Sequence, residues 1–302
     1  MRDTKNSFLP KITIVTPCFQ AGKTIEDTIL SIKAQGYPNL EYIVMDGGSN
    51  DETLSILQRH SDIITLWESG PDGGQYDAIQ KGFSQSTGEI LCWLNADDML
   101  MPRALWVVAE VFQSFDEVEW LTSLKPGGWD ARGRFTGTWT VPGFSRDAFL
   151  DGFNLPIGKK GTFCIQQEST FWRRRLWEIS GARIPEKYRL AGDFALWARF
   201  FQHADLYGLE YPIGGFRVLE GQRSEDIKAY ASEANIALSE MRTLTNWKNS
   251  GRNIIISQKF FRFIKKRSRF RRKFGYFAKR IYNTAPNSPS GKWSIQKYRF
   301  IP

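Results

Sequence analysis

Four short apolar segments alternate with helical segments in the first hundred residues, and this alternation constrains the fold more than any other feature of the chain. Between the segments, apolar residues recur at steps of three and four, as at Ile25, Ile29 and Ile32, which predicts helices. Strands that alternate with helices of this length predict βαβ units and a parallel sheet. The predicted strands are Lys11–Thr16, Leu40–Met45, Ile63–Trp67 and Ile90–Leu94.

Each predicted strand ends at polar residues, proline or glycine. These ends carry Pro17, Asp46, Glu68–Asp72 and Asn95–Asp98. In sheets of this kind, ligands bind beyond the carboxyl ends of the strands. Packing alone does not explain why polar residues gather at the same edge four times, so the pattern predicts a ligand site there.

Asp97 and Asp98 are adjacent at the point where the fourth strand ends. Like charges this close repel, and they are tolerated where water, hydrogen bonds or a divalent cation neutralises them. Oxygen ligands at this position suit Mg²⁺ or Mn²⁺. A solvated turn that leads into a helix with acidic first residues explains the pair equally well.

Several other classes of site find little support in the sequence. The segment Gly70–Gly74 lacks the Gly-Lys-Ser/Thr ending of a P-loop and the three-glycine spacing of a dinucleotide-binding loop. Two histidines argue against a zinc site or a Ser-His-Asp triad. Three scattered cysteines favour a reduced intracellular protein. No stretch reaches the roughly 18 apolar residues of a spanning helix, and Met1–Leu9 lacks a signal core.

Three motifs resemble those of a known family. Thr16–Phe19, Val44–Thr53 and Leu94–Asp98 look like the successive motifs of family 2 glycosyltransferases, over roughly residues 10–225. The segment Pro71–Ala78 is similar to a subgroup that builds bacterial capsule and exopolysaccharide repeats of the colanic-acid type. The resemblance implies the α/β GT-A fold, a Rossmann-like mixed central sheet flanked by helices, in a nucleotide-sugar-binding and catalytic domain of residues 1–225.

The resemblance also implies a binding site for a nucleotide-diphosphate sugar, with a UDP-sugar favoured. Thr16 and Pro17 would border the nucleobase. Asp46, together with the neighbouring Gly47, and Asp72 would contact the base or ribose.

The same resemblance implies a metal site on the diphosphate. Asp97 matches the last acid of the family's Asp-x-Asp motif, which binds Mn²⁺ or Mg²⁺. The first acid of that motif is Asn95 here, a neutral amide that keeps hydrogen bonding to ribose or sugar but removes one negative charge. Asp98 is therefore a second candidate metal ligand. Arg217 or Arg223 would add positive charge near the diphosphate, with a solvated basic loop as the alternative.

Asp193 matches the acid that opens a later helix of the family and acts as the catalytic base. The family's Glu-Asp pair is Gly192-Asp193 here, and a helix N-cap is the structural alternative for Asp193. Glu168, inside a predicted strand Gln166–Trp172, is the rival base. One displacement at C1 inverts the anomeric centre. The Gln-x-x-Arg-Trp motif of processive synthases does not occur, so the addition of a single sugar is favoured.

Charge is distributed unevenly along the chain. Residues 241–302 hold 17 Lys/Arg and no acid, whereas the first 240 residues hold 24 basic and 32 acidic residues. Residues 226–302 are therefore predicted to be a separate helical, basic, membrane-associating extension. Within it, Lys259–Tyr282 combines eleven Lys/Arg with a helical apolar spacing that suits an anionic membrane surface. The apolar residues are Phe260, Phe263, Ile264, Phe270, Phe274, Phe277 and Ile281.

Taken together, these features predict a peripheral enzyme on the inner face of the cytoplasmic membrane. It would transfer one sugar to a lipid-linked saccharide acceptor in cell-surface polysaccharide biosynthesis. Two alternatives from other classes remain, a catalytically silent sugar-nucleotide-binding protein and a basic nucleic-acid-binding protein. Nucleic acid is not the expected partner.

Overall fold

The computed structural model describes residues 9–156, 164–248, 275–285 and 292–302. The helices are α1 (Ile25–Lys33), α2 (Thr53–Arg59), α3 (Gln75–Ser84), α4 (Ala104–Ser114), α5 (Arg146–Leu150), α6 (Arg174–Ile179), α7 (Gly192–His203) and α8 (Ile227–Leu244). The strands are β1 (Ile12–Cys18), β2 (Leu40–Asp46), β3 (Leu66–Ser69), β4 (Ile90–Trp93), β5 (Met99–Leu100), β6 (Trp120–Ser123), β7 (Gly127–Trp129), β8 (Phe135–Thr138), β9 (Thr170–Arg173), β10 (Leu206–Leu209), β11 (Gly214–Arg217), β12 (Tyr276–Asn283) and β13 (Trp293–Phe300). Two short 3₁₀ turns are Gln167–Ser169 and Arg223–Glu225.

A nine-stranded sheet forms the centre of the molecule, in the order β13-β12-β10-β6-β9-β4-β1-β2-β3. The strands β1 to β4 are parallel, as the alternation of strands and helices predicts. The sheet is mixed because β9 runs antiparallel to both β4 and β6. The helix α3 lies close on β1, since a Cβ added at Gly82 would approach Val15 Cγ1 to 2.5 Å. The predicted mixed sheet flanked by helices is confirmed.

A second sheet of four short strands, in the order β5-β11-β7-β8, lies beside the carboxyl end of β4. Arg217, for which a solvated basic loop was one alternative, lies instead in the strand β11, which pairs with both β5 and β7. Glycine allows this close pairing, because a Cβ at Gly214 would lie 2.2 Å from the backbone oxygen of Glu168. The second sheet thus connects the end of β4 to the 3₁₀ turn at Gln167–Ser169.

Four buried tryptophans fix α7 against the centre of the main sheet. Trp93, Trp120 and Trp172 come from neighbouring strands, and Trp197 comes from α7. The Trp197 ring stacks on Trp93 at 5.9 Å between centroids and on Trp120 at 5.6 Å. Aromatic pairs of this kind add roughly 0.5–1.5 kcal/mol each beyond the area they bury. This packing sets the position of the first turn of α7, which carries Asp193.

The C-terminal part of the chain differs from the prediction. Phe277 and Ile281, predicted on a basic amphipathic helix, lie in β12, which pairs with β10 and with β13 at the edge of the central sheet. The helix Lys259–Tyr282 is therefore wrong over its last residues, because tertiary pairing with β10 overrides the local helical spacing. Residues 259–274 of that predicted helix lie outside the described residues.

The rest of the predicted extension also packs with the catalytic half of the chain. Helix α8 begins this segment, and its Ala234 and Leu238, like Ile281 of β12, belong to the same hydrophobic core as β1 and β4. The described part of residues 226–302 is therefore not a separate helical unit. None of the helices within the described residues is long and apolar enough to span a bilayer.

A buried carboxylate, Glu41, ties together the amino ends of β1, β2 and β4. It accepts hydrogen bonds from the Thr13 hydroxyl (2.5 Å) and the Thr87 backbone N–H (2.7 Å), and it pairs with Lys11 (2.9 Å). Burial raises the pKa of Glu41, but the bonds from Thr13, Lys11 and Thr87 outweigh it and lower the pKa to about 2. The carboxylate therefore remains ionised in the folded protein well into the acidic range.

We predict that Glu41→Gln lowers the free energy of unfolding at pH 7 by about 2–3 kcal/mol, because buried donors lose a charged acceptor. The difference from wild type should shrink as the pH falls from 4.5, the ordinary pKa of Glu, towards about 2. Over that range the unfolded chain takes up the proton first, so the stability that this carboxylate supplies is lost. Urea denaturation at several pH values measures this. The exposed control Glu117→Gln should change stability little, and an equal loss in both variants would contradict the account.

Candidate functional site

Asp46, at the end of β2, orders the loop that follows it. Its carboxylate is buried and accepts hydrogen bonds from the N–H of Gly48 (3.1 Å), the N–H of Ser49 (2.8 Å) and the Ser69 hydroxyl (2.6 Å). Burial raises the pKa of Asp46, and the bonds from Ser49 and Ser69 bring it below its ordinary value. The structure therefore gives Asp46 a role in loop geometry, and its contact with a base or ribose stays a prediction.

The loops that follow β1 and β2 are joined to each other. The backbone N–H of Gln20 donates to the Ser49 hydroxyl (2.7 Å), and the N–H of Gly22 donates to Asp51 Oδ2 (2.9 Å). These bonds explain why small and acidic residues are concentrated after β2. They hold the two loops as one surface at the carboxyl edge of the sheet.

An exposed aromatic ring and a carboxylate lie side by side on this surface. Phe19 is 64% exposed. A Cβ added at Gly47 would lie 3.2 Å from Asp72 Oδ2 and 3.4 Å from Phe19 Cδ2, so these two side chains flank Gly47. An aromatic ring and an acceptor oxygen that flank the same residue suit a nucleobase and a ribose hydroxyl.

The residues predicted to border the base are less accessible than Phe19. Thr16 and Pro17 are both buried within β1. They support the surface from below, and Phe19 is the neighbour that is open to a ligand. Phe19 is not among the site residues predicted from the sequence, although an aromatic residue directly after a strand, inside the first motif, was a usable signal.

Asn95 connects the end of β4 to its neighbours through three hydrogen bonds. Its Oδ1 accepts from Gln75 Nε2 (2.7 Å), and its Nδ2 donates to Asp98 Oδ2 (3.1 Å) and to Gln167 Oε1 (3.2 Å). An aspartate at this position would have no N–H to donate and would face the Asp98 carboxyl. The departure from the family's Asp-x-Asp motif thus has a structural reason.

Asp98 lies inside the fold. It has no exposed surface, and it accepts hydrogen bonds from the Arg217 backbone N–H (3.0 Å) and from Asn95. Burial, and then the charges of Asp97 and Glu168, raise its pKa well above the ordinary value. Each carboxylate oxygen of Asp98 accepts one of these two hydrogen bonds, and the side chain is closed to solvent. Asp98 therefore does not fit the metal-ligand role predicted for it.

Asp97 is partly exposed at the same strand end. Its Oδ2 accepts from Gln222 Nε2 (2.7 Å), and this amide also donates to the Arg217 backbone oxygen (2.9 Å). Burial raises the pKa of Asp97, and the hydrogen bond from Gln222 opposes that rise. Gln222, which the sequence analysis did not select, therefore orients the carboxylate that the motif singles out.

The two candidate arginines have different surroundings. Arg217 is 1% exposed, and its Nη2 pairs with Asp27 Oδ2 at 2.7 Å. Its charge is used inside the fold. The prediction that Arg217 adds positive charge near the diphosphate therefore does not agree with its burial. Arg223 lies at the surface, where it donates to Gln75 Oε1 (2.8 Å) and to the Arg189 backbone oxygen.

The donor set at Asp97 limits the kind of metal site that can form. Across residues 9–156, 164–248, 275–285 and 292–302, no group of three or more His, Cys, Asp or Glu side chains could hold a metal ion. Mg²⁺-type cations are commonly held by one or two carboxylates together with substrate phosphates and water. Asp97 therefore fits a divalent cation that is shared with a diphosphate, and not a cation held by protein ligands alone.

Asp193 lies in the first turn of α7 and not at its N-cap, which is Ala191. The Tyr230 hydroxyl of α8 donates to both of its carboxylate oxygens, at 2.9 and 3.0 Å. Burial raises the pKa of Asp193 to about 6, although the bond from Tyr230 lowers it. A carboxylate with a pKa near neutrality, held by a neutral phenol, suits a general base. Tyr230 is distant in sequence, and no local signal identified it.

Glu168, the rival base, lies in the 3₁₀ turn Gln167–Ser169 and not in a strand. It is buried, and burial followed by the charges of Asp193 and Asp97 raises its pKa to about 8. The pKa of Glu168 is raised further than that of Asp193, so Asp193 is the more readily ionised of the two carboxyls. A general base must accept a proton, so the geometry and the pKa values favour Asp193 over Glu168.

Gly192 stands at the position where the family has an acidic residue. The structure leaves no room for a side chain at this position. A Cβ added at Gly192 would lie 2.6 Å from Tyr76 Cζ and 2.8 Å from Ile184 Cγ2. The Tyr76 hydroxyl is fixed by its hydrogen bond to the Leu190 backbone oxygen (2.7 Å). The Tyr76 ring thus occupies the space that a side chain at position 192 would need.

The mixed sheet flanked by helices has the GT-A fold. The family described as glycosyl transferase family 2 matches residues 13–173, which is 161 of 302 residues. The chain belongs to glycosyl transferase family 2.

Two curated relatives illustrate the similarity. An uncharacterized glycosyltransferase of Mycobacterium tuberculosis is 34% identical over 90 residues, which cover 30% of this chain and 34% of the relative. The GalNAc(5)-diNAcBac-PP-undecaprenol beta-1,3-glucosyltransferase of Campylobacter jejuni is 33% identical over 105 residues, 32% of this chain and 33% of the relative. The chain thus spans about a third of the length of these relatives.

Solved structures share the fold at low sequence identity. TarS 1-349 of S. aureus in complex with UDP-GlcNAc has a TM-score of 0.56 and 15% identity, covering 84% of this chain and 78% of that chain. The mannosyltransferase PcManGT from Pyrobaculum calidifontis in complex with GDP-Man and Mn²⁺ has a TM-score of 0.50 and 16% identity, covering 89% and 84%.

We predict that Gly192→Ala destabilises the fold by about 1–3 kcal/mol, because the new methyl group overpacks against the Tyr76 ring. Thermal unfolding with circular dichroism measures the loss. Gly70→Ala is the matched control, since a Cβ at Gly70 meets nothing within 4 Å. Unchanged stability of Gly192→Ala would show that Tyr76 is free to move and would contradict the explanation of the missing acid.

Proposed function

We propose that the protein is an inverting glycosyltransferase that transfers one sugar from a nucleotide-diphosphate sugar to a lipid-linked saccharide acceptor in cell-surface polysaccharide biosynthesis. The observation that carries this proposal is the environment of Asp193. It combines partial exposure, a pKa raised to about 6 and a hydrogen bond from Tyr230. These are the properties of a base that takes a proton from a hydroxyl near neutral pH.

The donor would bind across the carboxyl edge of the sheet. Phe19 and Asp72 would take the base and ribose, and Arg223 at the surface would add positive charge near the diphosphate. Neighbours of the same fold hold UDP-GlcNAc or GDP-Man, which supports a nucleotide sugar as the class of donor. We propose a UDP-sugar.

Asp97, oriented by Gln222, would hold Mn²⁺ or Mg²⁺ together with the diphosphate. When bound, the cation supplies a Lewis acid that neutralises the departing diphosphate. Gln222 keeps one carboxylate oxygen of Asp97 in place by hydrogen bonding. Because Asp98 is buried, Asp97 would be the carboxylate that the described residues contribute, and the phosphates and water would supply the other ligands.

Transfer would proceed by one displacement. The acceptor oxygen attacks C1 of the donor sugar as Asp193 takes its proton, and the bond from C1 to the phosphate oxygen breaks. The nucleoside diphosphate leaves with the electron pair, and the new glycosidic bond forms on the opposite face of C1. Only one catalytic carboxylate is required, because no proton has to be delivered to a diphosphate held by a cation.

A lipid-linked acceptor at the membrane is the proposed setting. The Campylobacter relative carries an undecaprenol-linked acceptor in its name, which supports this class of acceptor. The 17 Lys/Arg without an acid in residues 241–302 support attraction to an anionic membrane surface on the cytoplasmic side. Lys279 and Arg280 already pair with Asp205 and Glu210, so the membrane contact would rely on the other basic residues.

We predict that Asp193→Asn lowers turnover by about 10²–10⁴-fold, since it removes a general base. The affinity for the nucleotide sugar should stay within about twofold, because a base acts mainly in the transition state. Transfer assays with Mn²⁺ and isothermal titration of the donor measure the two quantities. The exposed control Asp116→Asn should leave both unchanged. Ordinary turnover of Asp193→Asn would remove the base assignment.

We predict that the rate falls as the pH drops through about 6, where Asp193 becomes protonated. Tyr230→Phe should move this acidic limb to higher pH, because the lost hydrogen bond favoured the ionised form of Asp193. The pH dependence of kcat/KM gives the midpoint. Tyr276→Phe removes a comparable tyrosine–aspartate bond (2.6 Å, to Asp151) elsewhere and should leave the midpoint in place. A midpoint that Tyr230→Phe lowers would refute the link.

A further inference from the structure

The 3₁₀ turn Gln167–Ser169 is fixed by the residues on either side of Glu168. The Gln167 side chain donates to the Trp93 backbone oxygen of β4. The Ser169 hydroxyl donates to the Gly214 backbone oxygen (3.1 Å) and accepts from the Gly214 N–H (3.2 Å) in β11. The turn is thus fastened to both sheets, and Glu168 is held between two anchored neighbours.

The Glu168 side chain has a polar atom with no partner. Glu168 is 4% exposed, and its Oε1 is fully buried without a hydrogen bond to any described residue. Native proteins rarely leave a buried carboxyl oxygen unsatisfied, because the lost hydration is not replaced. An apolar residue of the same size would fill this position at a lower cost in free energy, and the open acceptor oxygen is available to a ligand.

Glu168 lies near enough to both carboxylates of the proposed reaction centre to interact with them electrostatically. The charged groups that act on its carboxyl are Asp193 and Asp97, and it acts in turn on Asp98 and on the Cys164 thiol. Burial and these acidic neighbours raise the pKa of Glu168 to about 8. A carboxyl accepts a hydrogen bond from a sugar hydroxyl in either protonation state, and its protonated form can also donate one.

The neighbours of Glu168 also indicate which part of the substrates it would contact. With the diphosphate at Asp97 and the acceptor hydroxyl at Asp193, the sugar to be transferred must lie between them. We propose that Glu168 is a donor-sugar-binding residue whose buried carboxyl hydrogen-bonds a hydroxyl of the transferred sugar. This inference rests on the proposed function, and it makes Glu168 a substrate-binding residue and not the catalytic base.

The proposal makes Glu168 a determinant of donor specificity. A site with a buried polar group that is built to bind a hydroxyl rejects an analogue that lacks the hydroxyl, since the group is then left unsatisfied. The sugar should therefore add affinity beyond that of the nucleoside diphosphate, and this added affinity should depend on Glu168.

The test compares nucleotide sugars with nucleoside diphosphates by isothermal titration in the presence of Mn²⁺. The probes are UDP-glucose, UDP-galactose, UDP-GlcNAc and GDP-mannose, each against free UDP or GDP. For the sugar that wild type prefers, Glu168→Ala should lose about tenfold or more in affinity for the nucleotide sugar and less than about twofold for the nucleoside diphosphate. Glu168→Gln should stay within about threefold of wild type, because an amide also donates and accepts.

Ser169→Ala serves as the matched control for a loosened turn. It removes the hydroxyl bonds to Gly214 but keeps the Glu168 carboxyl, so it should retain the affinity that the sugar adds. The proposal is overturned if Glu168→Ala binds the nucleotide sugar as wild type does. It is also overturned if that variant loses nucleoside diphosphate equally, or if Ser169→Ala shows the same selective loss. If the wild-type protein binds neither the nucleotide sugars nor the nucleoside diphosphates, the proposed function itself is contradicted.

Discussion

The site depends on the side-chain amide of Asn95. Its N–H₂ group donates to Asp98 and to Gln167, and its oxygen accepts from Gln75. These bonds join the end of β4 to the 3₁₀ turn and to α3. Because an amide carries no charge, it satisfies the buried Asp98 carboxyl without adding repulsion. The neutral residue in an otherwise acidic motif therefore binds the Asp98 carboxyl without placing a third negative charge beside Asp97 and Asp98.

Burial divides the acidic residues of the site into different roles. Asp98 is enclosed and bonded by Arg217 and Asn95, so it stabilises the turn after β4. Asp97 and Asp193 remain partly open and are each oriented by one amide or hydroxyl donor. Glu168 is enclosed with an unsatisfied oxygen. The chemistry that we propose follows from these differences in exposure and hydrogen bonding, since the side chains themselves are alike.

Much of the first half of the fold could be predicted from local patterns, because the βαβ alternation is visible in the spacing of apolar residues. Long-range pairing could not be predicted in this way. Phe277 and Ile281 follow a helical spacing, yet they pair with β10 and β13 in the sheet. The motifs drew attention to Asp97 and Asp193, but their partners Gln222 and Tyr230 are distant in sequence and are brought together only by packing.

We propose that Asp97 alone among the paired carboxyls faces the diphosphate. Anomalous diffraction at the manganese edge, from a crystal grown with UDP and Mn²⁺, tests it most directly. We expect one manganese peak in coordination contact with both the Asp97 carboxylate and the diphosphate, with Asp98 still bonded to the Arg217 N–H. A peak bound to Asp98, or nucleotide bound with no manganese at Asp97, would contradict the account.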